Sequence, residues 1–162
     1  MFQKLRNKLK EQQGMTLIEL LAVIVILGII AAIAVPSILG LIDNTKKDAH
    51  VANAQQMINS AKMAISSDVN LQTGTKYLPL GYLEGQNFIE HIDDPDSTKT
   101  YALGTSQIES TITETDAISY VKIVSGQVTT VKLVDQTRGV QTSGGLGVAP
   151  SALKRGVVIN NP

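Results

Sequence analysis

The sequence predicts an α+β chain: a long N-terminal helix whose outer half packs on a small antiparallel β-sheet. Three observations predict it. Residues 17–42 are apolar except for Glu19, Pro36 and Ser37. Apolar side chains then recur at alternating spacings of 3 and 4 through Val51, Ala54, Ile58, Ala61 and Ile65. That is the period of an amphipathic helix. Beyond Asp68 the runs shorten, and Gly, Pro, Ser, Thr and Asp become frequent. Short apolar runs between turn-forming residues read as strands.

The elements follow in chain order. Residues 1–14 form a basic leader, with Lys4, Arg6, Lys8 and Lys10 against Glu11. Residues 15–42 are long enough to cross a bilayer, which takes about 20 residues. The basic leader predicts a cytoplasmic N-terminus and an outer C-terminal part. Residues 43–67 continue as an amphipathic outer helix, with Met57 and Ala64 on its apolar face and Asn44, Lys46, Lys47, Asp48, Asn53 and Gln56 elsewhere. Pro36 lacks an N–H and is expected to kink or loosen the helix. Residues 68–162 form a β-rich globular head. Within it, Ile118–Val124 and Gln127–Val134 flank Ser125-Gly126, a hairpin signature. Tyr101–Leu103 and Gly156–Ile159 are weaker strand candidates. Thr105–Asp116 reads as loop, and Ser143–Gly147 as a flexible connection.

Composition narrows the function. The chain has no cysteine, so disulfides, thiolate metal sites and cysteine nucleophiles are excluded. Its 14 basic residues balance 14 acidic ones, which gives no global attraction to nucleic acid. No catalytic constellation stands out, and the expected role is non-enzymatic, with no cofactor. Ser151 and Lys154 have the spacing of a lactamase nucleophile motif but none of its companions.

Glu19 is the anomaly. A carboxylate inside a membrane segment costs roughly 2.5–3.5 kcal/mol at mid-helix and less near an end. Such a residue needs a partner or a task. It belongs to Gly14-Met15-Thr16-Leu17-Ile18-Glu19, which follows the basic leader and precedes the apolar helix. This arrangement resembles the cleavage and methylation signature of type IV prepilins and pseudopilins, over residues 8–37. The lack of cysteine resembles pilins of Gram-positive bacteria. The resemblance implies a lollipop-shaped pilin fold and a prepilin peptidase/methylase that cuts between Gly14 and Met15. Glu19 then becomes the fifth mature residue and Pro36 the twenty-second, both family positions. Met15 stands where the family usually has Phe. By the same resemblance, Glu19 meets the new amine of a neighbouring subunit and sets the stagger between helices, and Pro36 lets the helix loosen for packing.

The implied partners are identical and minor pilin subunits, an assembly platform and motor, and membrane lipids before assembly. DNA or surfaces are further partners of such filaments. The implied localisation is the cell membrane for the precursor and an extracellular pilus or pseudopilus after assembly. The alternatives are a competence or type II secretion pseudopilin, or a membrane-anchored binding protein that never polymerises. An ordinary signal peptide is the competing reading of the N-terminus, with Ala32-Ile33-Ala34 as a cleavage site leaving Val35 first.

Other candidates are weaker. Asp93, Asp94 and Asp96 offer oxygen ligands of the kind calcium takes, yet without the spacing of an EF-hand. The expectation there is a solvated turn. His50 and His91 are expected as unrelated surface residues rather than a metal pair with carboxylates. Lys46, Lys47, Lys154 and Arg155 are expected as solvated charges rather than a DNA site.

Overall fold

The computed structural model describes residues 17–96 and 100–162 in full, together with the backbone of the first helix from its start. That helix, α1 (Phe2–Ser67), contains Pro36 without interruption. By internal contacts the chain divides into two units, Met1–Asp43 and Asn44–Pro162.

In the first unit the described part of α1 is exposed apolar surface. Leu17, Ile18, Leu20, Ile33 and Leu41 are all more than 60% exposed. Among the described residues α1 is the one helix long and apolar enough to cross a membrane. Pro36 has no N–H to donate to the Ala32 carbonyl. One residue on, the Ser37 hydroxyl donates to the Ile33 carbonyl at 3.3 Å, a bond of the kind that favours a bend in a helix.

In the second unit, α1 residues 44–67 bury one stripe. Ala54, Met57, Ile58, Ala61 and Ala64 are fully buried, with Val51 and Ile65 partly buried at its margins. These are the periodic positions of the sequence, so the amphipathic reading holds. The same core takes in Leu78, Leu80 and Leu83 with Val121, Ile123, Val131 and Leu133 from the sheet. Small alanines on the helix allow close approach, and the strands supply the bulk.

Among the described residues the sheet has five antiparallel strands in sequential order: β1 (Thr75–Pro79), β2 (Tyr120–Val124), β3 (Gln127–Val134), β4 (Arg138–Val140) and β5 (Val158–Asn160). The fold class is therefore α+β, as expected. The β2–β3 hairpin turns at Ser125 and Gly126, with φ of 49° and 76°. Two successive positive φ values are those of a type I′ turn, whose twist matches that of the strands. A bulge between Lys122 and Ile123 shifts the register, so that Lys122 faces Thr130 while Ile123 faces Val128.

Three elements were not expected: β1, β4 and the short helix that follows β1. β1 ends in Pro79 and passes directly into the short helix α2 (Leu80–Gly85). Proline is tolerated there because β1 is an edge strand. β4 has only three residues and follows a tight turn. In that turn Asp135 Oδ1 accepts the Thr137 and Arg138 amides. Conversely, Tyr101–Leu103 is not a strand. Its backbone bonds singly to Val134, Ser119 and Gly81, which belong to different elements. Of Gly156–Ile159, the last two residues enter β5 and the first two form a 3₁₀ turn. The glycine-rich connection is closed by bonds between Thr142 and Leu146 and between Gly145 and Thr142.

The face of the sheet away from α1 is also covered. Lys132 is 1% exposed, and its ammonium donates to the carbonyls of Glu114, Asp116 and Gly145. The Glu114 carboxylate accepts from Lys122 at 2.7 Å and from the Tyr77 hydroxyl at 2.7 Å. Lys122 first, then Tyr77, holds this carboxyl below its ordinary range. A depressed carboxyl stabilises the fold above its unfolded pKa, about 4.3, and that contribution is lost as pH falls through the folded value. A Glu114→Gln variant should therefore be less stable than wild type at pH 7, by about 1 kcal/mol for a partly exposed pair. The difference should vanish near pH 2. Urea denaturation of the detergent-solubilised chain, followed by tyrosine fluorescence, checks this; an equal difference at both pH values would refute it. All four tyrosines, Tyr77, Tyr82, Tyr101 and Tyr120, report on the head.

Candidate functional site

The sequence places the first site around residues 14–36. Gly14 and Met15 lie outside the described residues. Glu19 lies on exposed α1 surface, two residues beyond Leu17 and among Ile18, Leu20 and Leu21. Thus a carboxylate stands on a helix whose neighbouring side chains have no affinity for water. The most apolar stretch of this helix is unburied throughout. Apolar surface on that scale needs lipid or other protein to cover it.

A second cluster lies in the head. His50, on α1, is completely buried, contrary to the expectation of a surface residue. Its Nδ1 lies 2.8 Å from the Tyr101 hydroxyl, and that hydroxyl accepts from Asn53 at 3.1 Å. Its Nε2 is 3.1 Å from Asp96 Oδ2 and 3.8 Å from Asp94 Oδ1. The segment around Asp94 is not a solvated turn either. Asp94 is 8% exposed, and of the described residues 93–96 only Asp93 is open to solvent, with its carbonyl bonded to Asn53. Arg138, from β4, grips Asp96 through two bonds of 2.6 and 2.7 Å, and Lys46 lies 3.5 Å from the same carboxylate. Asp135, after β3, is 1% exposed.

The electrostatics follow from these contacts. Arg138 draws the Asp96 carboxyl down to about 2. Burial pushes the Asp94 carboxyl up, and the adjacent Asp135 carboxylate pushes it the same way against the Asp96 amide. His50, Asp94, Asp96 and Asp135 each offer one ligand atom, and these four atoms lie within 4.8 Å of one another. Aspartates 94 and 96 were visible in the sequence as oxygen donors. His50 and Asp135 were not tied to them by any local signal, because 44 and 39 positions separate each from the Asp94–Asp96 pair's nearer member (94 − 50 and 135 − 96). His91 stays apart, exposed beside Glu84.

The basic residues divide. Arg155 is held by both oxygens of Asp48, and Lys46 stands beside Asp96. Each of these charges already faces a carboxylate.

Residues 9–35 match the family model of the prokaryotic N-terminal methylation motif. The match covers the leader junction, Glu19 and most of the apolar helix, and stops short of the head. No solved structure matches the chain. The prepilin-type N-terminal signature, with a membrane-length apolar helix and an α+β head among the described residues, supports a type IV pilin- or pseudopilin-like protein. The motif and the apolar helix fit a precursor anchored in the membrane.

Proposed function

We propose that the chain is a structural, non-catalytic subunit of a type IV pilus. Prepilin peptidase cuts it after Gly14 and methylates Met15. The mature helix then leaves the bilayer and packs with other copies into an extracellular filament. The observation that carries this reading is the coincidence of the methylation motif with a stretch of helix exposed along its whole apolar length. A membrane covers such a surface before assembly, and neighbouring helices cover it afterwards. Glu19 supplies the polar register that apolar contacts lack, because its carboxylate pairs with the amine that cleavage creates at Met15.

The test is direct. Fibres sheared from cells should contain this chain with methylated Met15 as the first residue, read by mass spectrometry after electron microscopy. A protein beginning at Val35 would show an ordinary secreted product. An uncut chain retained in the membrane would show an anchored module. A processed chain confined to the cell envelope would indicate a pseudopilin.

A further inference from the structure

We propose that His50, Asp94 and Asp135, with Asp96 beside them, form a binding site for one divalent transition-metal ion, of the Zn²⁺ or Mn²⁺ class. The proposal is independent of filament assembly and rests on the second unit, Asn44–Pro162, alone.

Two buried oxygens carry it. Asp94 Oδ2 and Asp135 Oδ2 have no hydrogen-bond partner. Each belongs to a carboxylate whose other oxygen is fixed by backbone. Asp94 Oδ1 accepts the Asp96 amide at 2.9 Å, and Asp135 Oδ1 accepts the Thr137 and Arg138 amides. The turns thus hold both carboxylates in place and leave one oxygen of each unused in a closed interior. Ionised carboxylate oxygens only accept, so they cannot satisfy each other. An unpaired buried charge is strongly unfavourable, and a shared cation removes the difficulty.

The remaining geometry suits a metal. Without an ion, His50 Nε2–H faces the Asp96 carboxylate at 3.1 Å. Metal binding moves the ring proton to Nδ1, 2.8 Å from the Tyr101 hydroxyl, and frees Nε2 as a ligand. A histidine ligand oriented through its second nitrogen is the usual arrangement at metal sites. Zn–N and Zn–O bonds of about 2.0–2.2 Å put neighbouring tetrahedral donors roughly 3.4 Å apart. One ligand atom from each of His50, Asp94, Asp96 and Asp135 lies within 4.8 Å of the others, a spread that small side-chain shifts close to that spacing. An imidazole among carboxylates favours a first-row transition metal over calcium or magnesium. Asp96 contributes least, because Arg138 already contacts both of its oxygens. Bound there, the ion joins α1, the 93–96 loop and the β3–β4 turn.

Calorimetry of the full chain in detergent, untagged, tests the proposal with Zn²⁺ and Mn²⁺ separately and Ca²⁺ as comparison. One equivalent of a transition metal should bind with micromolar or tighter affinity, and Ca²⁺ at least tenfold more weakly. Asp94→Asn and Asp135→Asn should each weaken binding at least tenfold, while His91→Ala should leave it unchanged. If the asparagine variants do not fold, Mn²⁺ electron paramagnetic resonance of wild type decides, with ¹⁴N coupling from one imidazole expected. The proposal is overturned if neither ion binds, as a proton shared by Asp94 and Asp135 would produce. It is equally overturned if binding survives both asparagine substitutions in folded protein, if Ca²⁺ binds as tightly, or if no ¹⁴N coupling appears.

Discussion

A Glu19→Ala variant should be inserted and cut at Gly14 like wild type, yet yield almost no filaments. On the proposed reading, the carboxylate meets the Met15 amine of a neighbouring subunit inside a bundle of Leu, Ile and Val side chains. Those side chains tolerate many staggers, since one apolar contact resembles the next. A charge pair does not. Removing one member leaves the amine buried and unpaired, which typically costs about 3–5 kcal/mol. At 1.4 kcal/mol per factor of ten, subunit addition weakens by roughly two to four orders of magnitude. Glu19→Gln keeps the shape and loses the charge, and should fail as Glu19→Ala does. Electron microscopy and quantitation of sheared fibres, with immunoblots of processed protein, provide the measurement. Normal filament yield from either variant would remove Glu19 from assembly.

The largest effect in the head is expected at Gly139. A Cβ added there collides with the Leu133 carbonyl oxygen and comes within 2.5 Å of Val134 Cα and 2.8 Å of Val134 Cγ1. Two of these three atoms are backbone. Gly139 also pairs with Val134 on one side and Ile159 on the other, so β4 cannot move aside without breaking a ladder. Overpacking of ordinary side chains costs about 1–3 kcal/mol, and a clash with fixed backbone lies at or above that range. Gly139→Ala should lower the melting temperature by about 10 °C or more. Gly144→Ala is the control, because an added Cβ there meets nothing within 4 Å. Thermal melts followed by tyrosine fluorescence compare the two. Equal melting temperatures would contradict the β3–β4 packing.

These cases show where sequence is readable. The helix face was legible because Ala54, Ile58 and Ala61 repeat with the helical period and each position reports its own burial. The β2–β3 hairpin was legible because Ser125-Gly126 is a local turn signal. The buried face of its strands was not, because loops cover the side away from α1 and hold even Lys132 out of solvent. Alternation of polar and apolar residues depends on one face meeting water. β1 and β4 escaped for another reason. Thr75–Pro79 is short and ends in proline, and Arg138–Val140 is three residues beside a tight turn. Their pairing comes from neighbours distant in sequence.

The two candidate sites divide along the same line. Gly14, Met15, Glu19 and Pro36 lie within one stretch of chain. The proposed peptidase recognition and helix register act on positions along a single segment, so their order and spacing carry the meaning without a fold. The His50 cluster has no such spelling. His50 reads as an ordinary polar position on an amphipathic helix, and Asp135 as part of a turn after a strand. Closing the core brings α1, the 93–96 loop and the β3–β4 turn together, and only then does water leave four donors facing one another. Burial changes their chemistry: the same carboxylates would be harmless in solvent, and inside the head they require an arginine, a proton or a metal.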